Sequence, residues 1–278
     1  IDGDNKRAIE LYYKQAMDTI CIPKEEFVAY QKLRDESFDA WIKAKSQSDY
    51  SIFEPYLKKI IEVSKKLYRY RNSDKNLYNQ MLDDYEPGMT QEKYDVFFTA
   101  LKERLVPLIQ KVTKAKQKNE AFLHQEFPIE DQKKFMIQLL AYLHFDSSWG
   151  YQNESEHPFT SWTCENDCRT TTKYVTNDVV SAVLSTVHEV GHAYYEHNVD
   201  PTYDGMILSE GISSGMHESQ SRLCENYLAR TTAFWKYHYP KLQKAFPTQL
   251  GNVSIEEFYE AINVAKPSFV RTEADELT

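Results

Sequence analysis

The chain has 278 residues, 41% apolar and 27% charged, the balance of a soluble globular protein with enough length for a substantial core. Its 33 Lys and Arg against 42 Asp and Glu give a formal charge of -9, which argues against a nucleic-acid partner because phosphate backbones call for concentrated positive charge. No apolar run reaches the ~18 residues of a membrane span, and the N-terminal IDGDNKRAIE has neither the basic start nor the apolar core of a signal peptide, so a cytoplasmic protein with no membrane partner is expected.

Only 8 Gly and 10 Pro interrupt the chain, which favours long elements. From about residue 5 to about residue 117 the apolar positions recur at three and four, the period of a helix. FVAYQKLRDESFDAWIKAK carries Phe27, Tyr30, Leu33, Phe38, Trp41 and Ile42 in this way. FEPYLKKIIEVSKKLYRY has Pro55 near its start, where a missing N–H costs least, and a stripe of Leu57, Ile60, Ile61 and Leu67. YEPGMT reads as a turn with positive φ at Gly88. A third helix can be capped by Thr90, carries Phe97, Leu101, Leu105, Leu108 and Val112 along one side, and is expected to bend at Pro107.

A short helix is predicted over about 130–144. The stretch 170–176, rich in Thr, Tyr and Val, then reads as a strand that residues 159–163 could pair with. Asp178 can cap a helix over about 179–197, and another is predicted over 212–239. Cys21, Cys164, Cys168 and Cys224 are sparse enough to read as free thiols of a reducing compartment, since a lone C-x3-C is a weak metal signal. The sequence holds no internal repeat and no Gly-rich phosphate loop.

Within STVHEVGHAYYEHN, His188 and His192 fall one helical turn apart on the same face, so both imidazoles can meet one ion while Glu189 projects beside them. Gly191 costs a helix about 1 kcal/mol relative to Ala, which makes sense where another element packs close behind the ligands. A hydrolytic zinc site needs three protein ligands and one open position. SEGISSGMHESQSRLCENYLAR offers Glu210, His217, Glu218 and Glu225 for the third. Spacing leaves the choice open, though Glu218, Arg222 and Glu225 share one face, so Glu218 could bind metal while Arg222 pairs with a carboxylate such as Glu225. His217 would point away from that face, as a supporting or structural group.

HPFT at 157–160, DCRTTTKY at 167–174, HEVGH at 188–192, HESQSR at 217–222 and VRTEADELT at 270–278 together resemble the carboxypeptidase Taq family of zinc carboxypeptidases, peptidase family M32. The resemblance implies a mainly α, multi-helix metallopeptidase fold with a small antiparallel β-sheet beside the HExxH helix. It implies a single helical domain over 1–278, with a helical part at 1–145 and a metal-site part at 146–278, as a fragment of a longer family fold shortened at both ends. Carried over by position, His188, His192 and Glu218 look like the metal ligands and Glu189 like the general base and acid. Asp167 and Arg169 would shape the cleft, and Arg271 would hold the substrate's terminal carboxylate. The implied cofactor is Zn2+, with Co2+ or another divalent ion as alternatives. The implied substrates are peptides with a free C-terminus, cleaved with broad side-chain tolerance but poorly at proline. Whether a homodimer forms is left open. The rival reading, from another class, is a catalytically incomplete metal-binding helical fragment or interaction module.

Overall fold

The computed structural model describes residues 3–71, 73–116, 118–164 and 166–265. Two compact units share the chain, residues 1–97 and 98–278.

The first unit is helical: α1 (Gly3–Ile20), α2 (Lys24–Gln47), α3 (Glu54–Arg69) and α4 (Leu77–Tyr85), with the start of α5 (Gln91–Thr113). Small residues let α2 and α3 pack closely, with Ala40, Ala44, Ser64 and Leu67 buried. The contact is closed at its margin by hydrogen bonds from Tyr70 to Glu26 and between Tyr30 and Ser64. Arg71 holds both oxygens of Asp84 on α4 at 2.8 Å. The turn before α5 has Gly88 at φ 83, the conformation its sequence calls for, and Pro107 lies inside α5.

The second unit is built around α7 (Val179–His197), in which twelve of nineteen residues are buried, the mark of a central rather than a surface helix. Asp178 caps it as expected, its carboxylate accepting from the N–H of Ser181 at 2.9 Å. Against α7 packs the short α8 (Ser214–Arg222), while α6 (Ile129–Tyr142), α10 (Pro247–Leu250) and α11 (Ile255–Ile262) pack against α9 (Thr232–Ala245). Phe127, Phe135, Leu139, Trp235, Tyr239 and Phe258 fill the core between them. The helix expected over 212–239 is divided. α8 runs into a π-helical stretch, Leu223–Ala229, that ends at Arg230, and the Thr231 hydroxyl then caps α9 by accepting from Phe234 N at 3.2 Å.

Beside α7 lies a three-stranded sheet of β1 (Gly150–Glu154), β2 (Thr160–Cys164) and β3 (Asp167–Thr172) in the order β1-β3-β2. β2 and β3 form the expected antiparallel pair, with Thr160 opposite Thr170 and Trp162 opposite Cys168. β1 adds to the other edge of β3 in parallel, so the sheet is mixed rather than purely antiparallel. β3 also starts earlier and stops earlier than its composition suggests. Tyr174 to Thr176 are β-prone but serve α6 instead: Gln132 donates to Val175 O at 2.8 Å and Phe127 N to Thr176 O at 2.6 Å. The face of β3 carrying Cys168, Thr170 and Thr172 is buried towards α7, where Thr172 Oγ1 reaches Ala182 O. All four cysteines are free thiols, and burial pushes the Cys168 thiol up to about 12. No helix among the described residues is long and apolar enough to cross a membrane.

The Asp178 cap satisfies a backbone N–H in the first turn of α7. Asp178→Ala is expected to cost about 1 kcal/mol of stability, read as a lower midpoint in urea with an unchanged slope.

Candidate metal centre

Residues 188 and 192 of α7 meet α8 running in the opposite direction. Gly191 lies at the crossing: a Cβ there would sit 2.8 Å from the Cα of Ser221 and 3.0 Å from the Cβ of Cys224. Only glycine permits this approach, which answers why the helix tolerates it.

The approach brings Glu218 Oε2 to 3.5 Å from His188 Nε2 and 3.4 Å from His192 Nε2. These three residues are the group among the described residues whose ligand atoms converge closely enough for one ion, all within 4.8 Å of one another. The separations are long for good hydrogen bonds. They match the edge of a tetrahedron whose ligands lie about 2.0–2.2 Å from a central ion, roughly 3.3–3.6 Å. Two imidazoles and a carboxylate also form the donor set that a divalent ion such as zinc accepts at a hydrolytic site.

Each of the three side chains is held from behind. Arg222, one turn after Glu218, donates from Nε to Glu218 Oε1 at 2.9 Å and from a terminal nitrogen to Glu225 Oε2 at 3.0 Å. Glu225, in the π-helical stretch, accepts in turn from His188 Nδ1 at 2.8 Å, which leaves His188 Nε2 free to face the ion site. On the other side His192 Nδ1 lies 2.9 Å from His217 Nδ1, and His217 Nε2 lies 2.5 Å from Glu196.

Burial alone would favour neutral His188, but the carboxylates of Glu218 and Glu225 outweigh it and push the imidazole up to about 9. Burial works against ionised Glu218 as well, yet His188, His192 and Arg222 hold its carboxyl far below the usual carboxylate range. For Glu225 burial is again opposed, by His188, Arg222 and Arg230, and the carboxyl is lowered.

Glu189 is 6% exposed and borders two cavities of about 470 and 570 Å³. One is walled by Leu184, His188, Glu225 and Arg230, the other by Thr160, Trp162, His192, Glu218 and Arg222. From the edge strand β2, Thr160 Oγ1 lies 2.6 Å from Glu189 Oε2 and 2.9 Å from its main-chain oxygen, so the carboxylate is fixed at the junction of the cavities.

Of the four candidates that spacing left open, Glu218 is the one that converges with His188 and His192, Glu189 lies beside them, and the pairing of Arg222 with Glu225 is present. Asp167 and Arg169 do not join them. Side chains alternate along β3, and with Cys168 and Thr170 turned inward these two fall on the opposite face. There they pair with each other at 2.8 Å, with Arg169 65% exposed, and line neither cavity. Arg271 lies outside the described residues. Sequence reasoning assigned no role to Thr160 individually or to Glu196. Thr160 belongs to the HPFT stretch, and Glu196, four residues after His192, shares its helix face.

A family model described as carboxypeptidase Taq (M32) metallopeptidase matches residues 1–278. Carboxypeptidase 1 of Bacillus subtilis is 41% identical over 279 residues, covering 100% of this chain and 56% of that protein. Thermostable carboxypeptidase 1 of Thermus thermophilus is 33% identical, covering 92% of this chain and 52% of its own length. The crystal structure of an M32 carboxypeptidase from Deinococcus radiodurans superposes with a TM-score of 0.85 at 32% identity, covering 96% of this chain and 54% of that one. The chain thus spans about half the length of the curated relatives it matches.

Two outcomes are expected from this geometry. Gly191→Ala, which in an open helix would add about 1 kcal/mol, should instead cost roughly 1–3 kcal/mol as the helices are forced apart, and should weaken zinc binding; urea unfolding and chelator competition measure both. The raised pKa of His188 contributes stability to the metal-free protein that is complete below about pH 6.5 and is lost as pH rises through about 9. An ion must displace that proton, so zinc affinity should climb between pH 7 and 9, with proton release seen by calorimetry in buffers of different ionisation enthalpy.

Proposed function

Because the chain belongs to the carboxypeptidase Taq (M32) metallopeptidase family, we propose that it serves metal-dependent removal of single residues from the C-terminus of peptides, with His188, His192 and Glu218 holding zinc. The observation that carries this reading is the spacing of Glu218 Oε2 at 3.4 and 3.5 Å from the two imidazole nitrogens, with Glu189 beside them. A bound divalent ion supplies Lewis-acid polarisation of a carbonyl and lowers the pKa of water.

The chain's own residues do the rest. Glu189, held by Thr160, accepts the proton of the attacking water on a carboxylate oxygen and returns it to the nitrogen of the leaving amino acid. Its 6% exposure keeps that carboxylate in a site from which most bulk water is excluded. The cavities on either side of Glu189 accommodate the two sides of the scissile bond. Their mixed lining of Leu, Thr, Trp and charged groups suits broad side-chain tolerance. Arg271 is the candidate for recognising the free carboxylate, which a guanidinium can grip through two parallel hydrogen bonds. Asp167 and Arg169 would act at the outer face of the sheet rather than at the ion.

Glu189→Gln should retain zinc while lowering kcat by roughly 100- to 10,000-fold, and Glu218→Ala should lower the zinc content itself. The measurement is release of C-terminal amino acids from a peptide and from its amidated form, alongside metal analysis. Equal cleavage of the two peptides would exclude an exopeptidase. Zinc binding without any release would favour a metal-binding module that does not turn over.

A further inference from the structure

Behind His192 runs a chain of partly buried polar contacts that the proposed reaction does not use. Glu196 is 8% exposed and sits one turn beyond His192 on α7. Its Oε1 lies 2.5 Å from His217 Nε2, and its Oε2 accepts from the N–H of Gly211 at 3.0 Å, so both oxygens are engaged and the carboxylate cannot swing away. The His217 ring is clamped as well. The ring of Tyr195 stands edge-on to it at 4.9 Å. The chain passes so near that a Cβ on Gly211 would come within 2.8 Å of the ring. From this fixed ring Nδ1 meets His192 Nδ1 at 2.9 Å.

The chemistry of the four atoms fixes an order. An ionised carboxylate only accepts, so His217 Nε2 carries the proton facing Glu196. A neutral His217 then has its lone pair on Nδ1, and the short contact to His192 requires the proton on His192 Nδ1. That leaves the lone pair of His192 on Nε2, the atom facing Glu218 and His188. If His217 instead carried two protons, His192 would hold its proton on Nε2 and could not bind an ion there without losing it.

We propose that Glu196 is a positioning residue of the metal centre, fixing through His217 the tautomer and ring orientation in which His192 presents Nε2 to the ion. This rests on His192 being a ligand, as read above. Glu225 does the same for His188 in one step, so each imidazole is directed by its own carboxylate, one directly and one through an intervening histidine.

The test is zinc affinity of the full chain, by competition with a chromogenic chelator, with 15N-labelled histidine reporting which nitrogen of His192 is protonated before metal is added. Glu196→Ala should weaken zinc about tenfold or more, His217→Ala by a similar factor, and the double variant no further than His217→Ala alone, because both changes break one chain. Glu196→Gln keeps the size and one acceptor oxygen and should lose less, with metal-free unfolding unchanged. In the wild type the 15N shifts should place the proton on His192 Nδ1, and Glu196→Ala should leave a mixture of tautomers.

Wild-type affinity in Glu196→Ala, or a double variant whose loss is the product of the single ones, overturns the proposal while leaving the ligand assignment standing. If Glu196→Ala does not fold, the same cycle run with Glu196→Gln decides: a non-additive loss supports the relay and an additive one overturns it. A wild-type chain that takes up no zinc overturns the ligand assignment and the relay together.

Discussion

The structure depends on two imidazoles whose Nδ1 atoms are tied down and whose Nε2 atoms face a common point. His188 is tied to Glu225 and His192 to His217, and what remains of each ring faces Glu218 across about 3.4–3.5 Å. A histidine free to rotate, or free to carry its proton on either nitrogen, would present a usable lone pair only part of the time. Fixing both rings on one helix, one turn apart, removes the rotational part of that loss before any ion arrives. The costs appear elsewhere in the fold: a glycine inside α7, and several charged groups under cover.

The irregular helix after Arg222 belongs to the same constraint. Glu218 must reach between the imidazoles while Glu225, two turns on, reaches behind one of them. Arg222 lies between and is bonded to both carboxylates, so the three share a face of the helix that turns towards α7. The π-helical stretch begins directly after Arg222 and includes Glu225. Such turns are frequent at functional sites. Glycine on α7 and irregular winding on the partner are two adjustments at a single crossing.

The parts of this arrangement written in local spacing were legible in the sequence. The Asp178 cap, the one-turn separation of His188 and His192, the shared face of Glu218, Arg222 and Glu225, and the open approach at Gly191 all follow from helix periodicity and side-chain size. The rest depends on partners distant in the chain. The strand pattern of 174–176 was overridden by Gln132 on α6, some forty residues earlier. The addition of β1 in parallel required a crossover that no local pattern announces. Asp167 and Arg169 fell outside the strand expected over 170–176, and it is the burial of Cys168 and Thr170 against α7 that turns both to the face of β3 away from the proposed ion site. Glu196 was in view at four residues from His192, but its meaning depends on a histidine from α8.

Charge offers a separate argument for what the site is built to hold. Among the described residues, Glu189, Glu196, Glu218 and Glu225 gather four carboxylates around His188 and His192, and the guanidiniums beside them are those of Arg222 and Arg230. With both imidazoles neutral, as they must be to bind an ion, these described groups are short of two positive charges. The metal-free protein makes up part of this by drawing a proton onto His188, the origin of its raised pKa. A proton supplies one charge and occupies one ligand nitrogen. A divalent cation supplies both charges and satisfies Nε2 of each histidine and Oε2 of Glu218 together, relieving contacts too long to be strong hydrogen bonds. The same imbalance disfavours a monovalent ion, which would leave a carboxylate uncompensated in a partly buried site where desolvation makes that expensive.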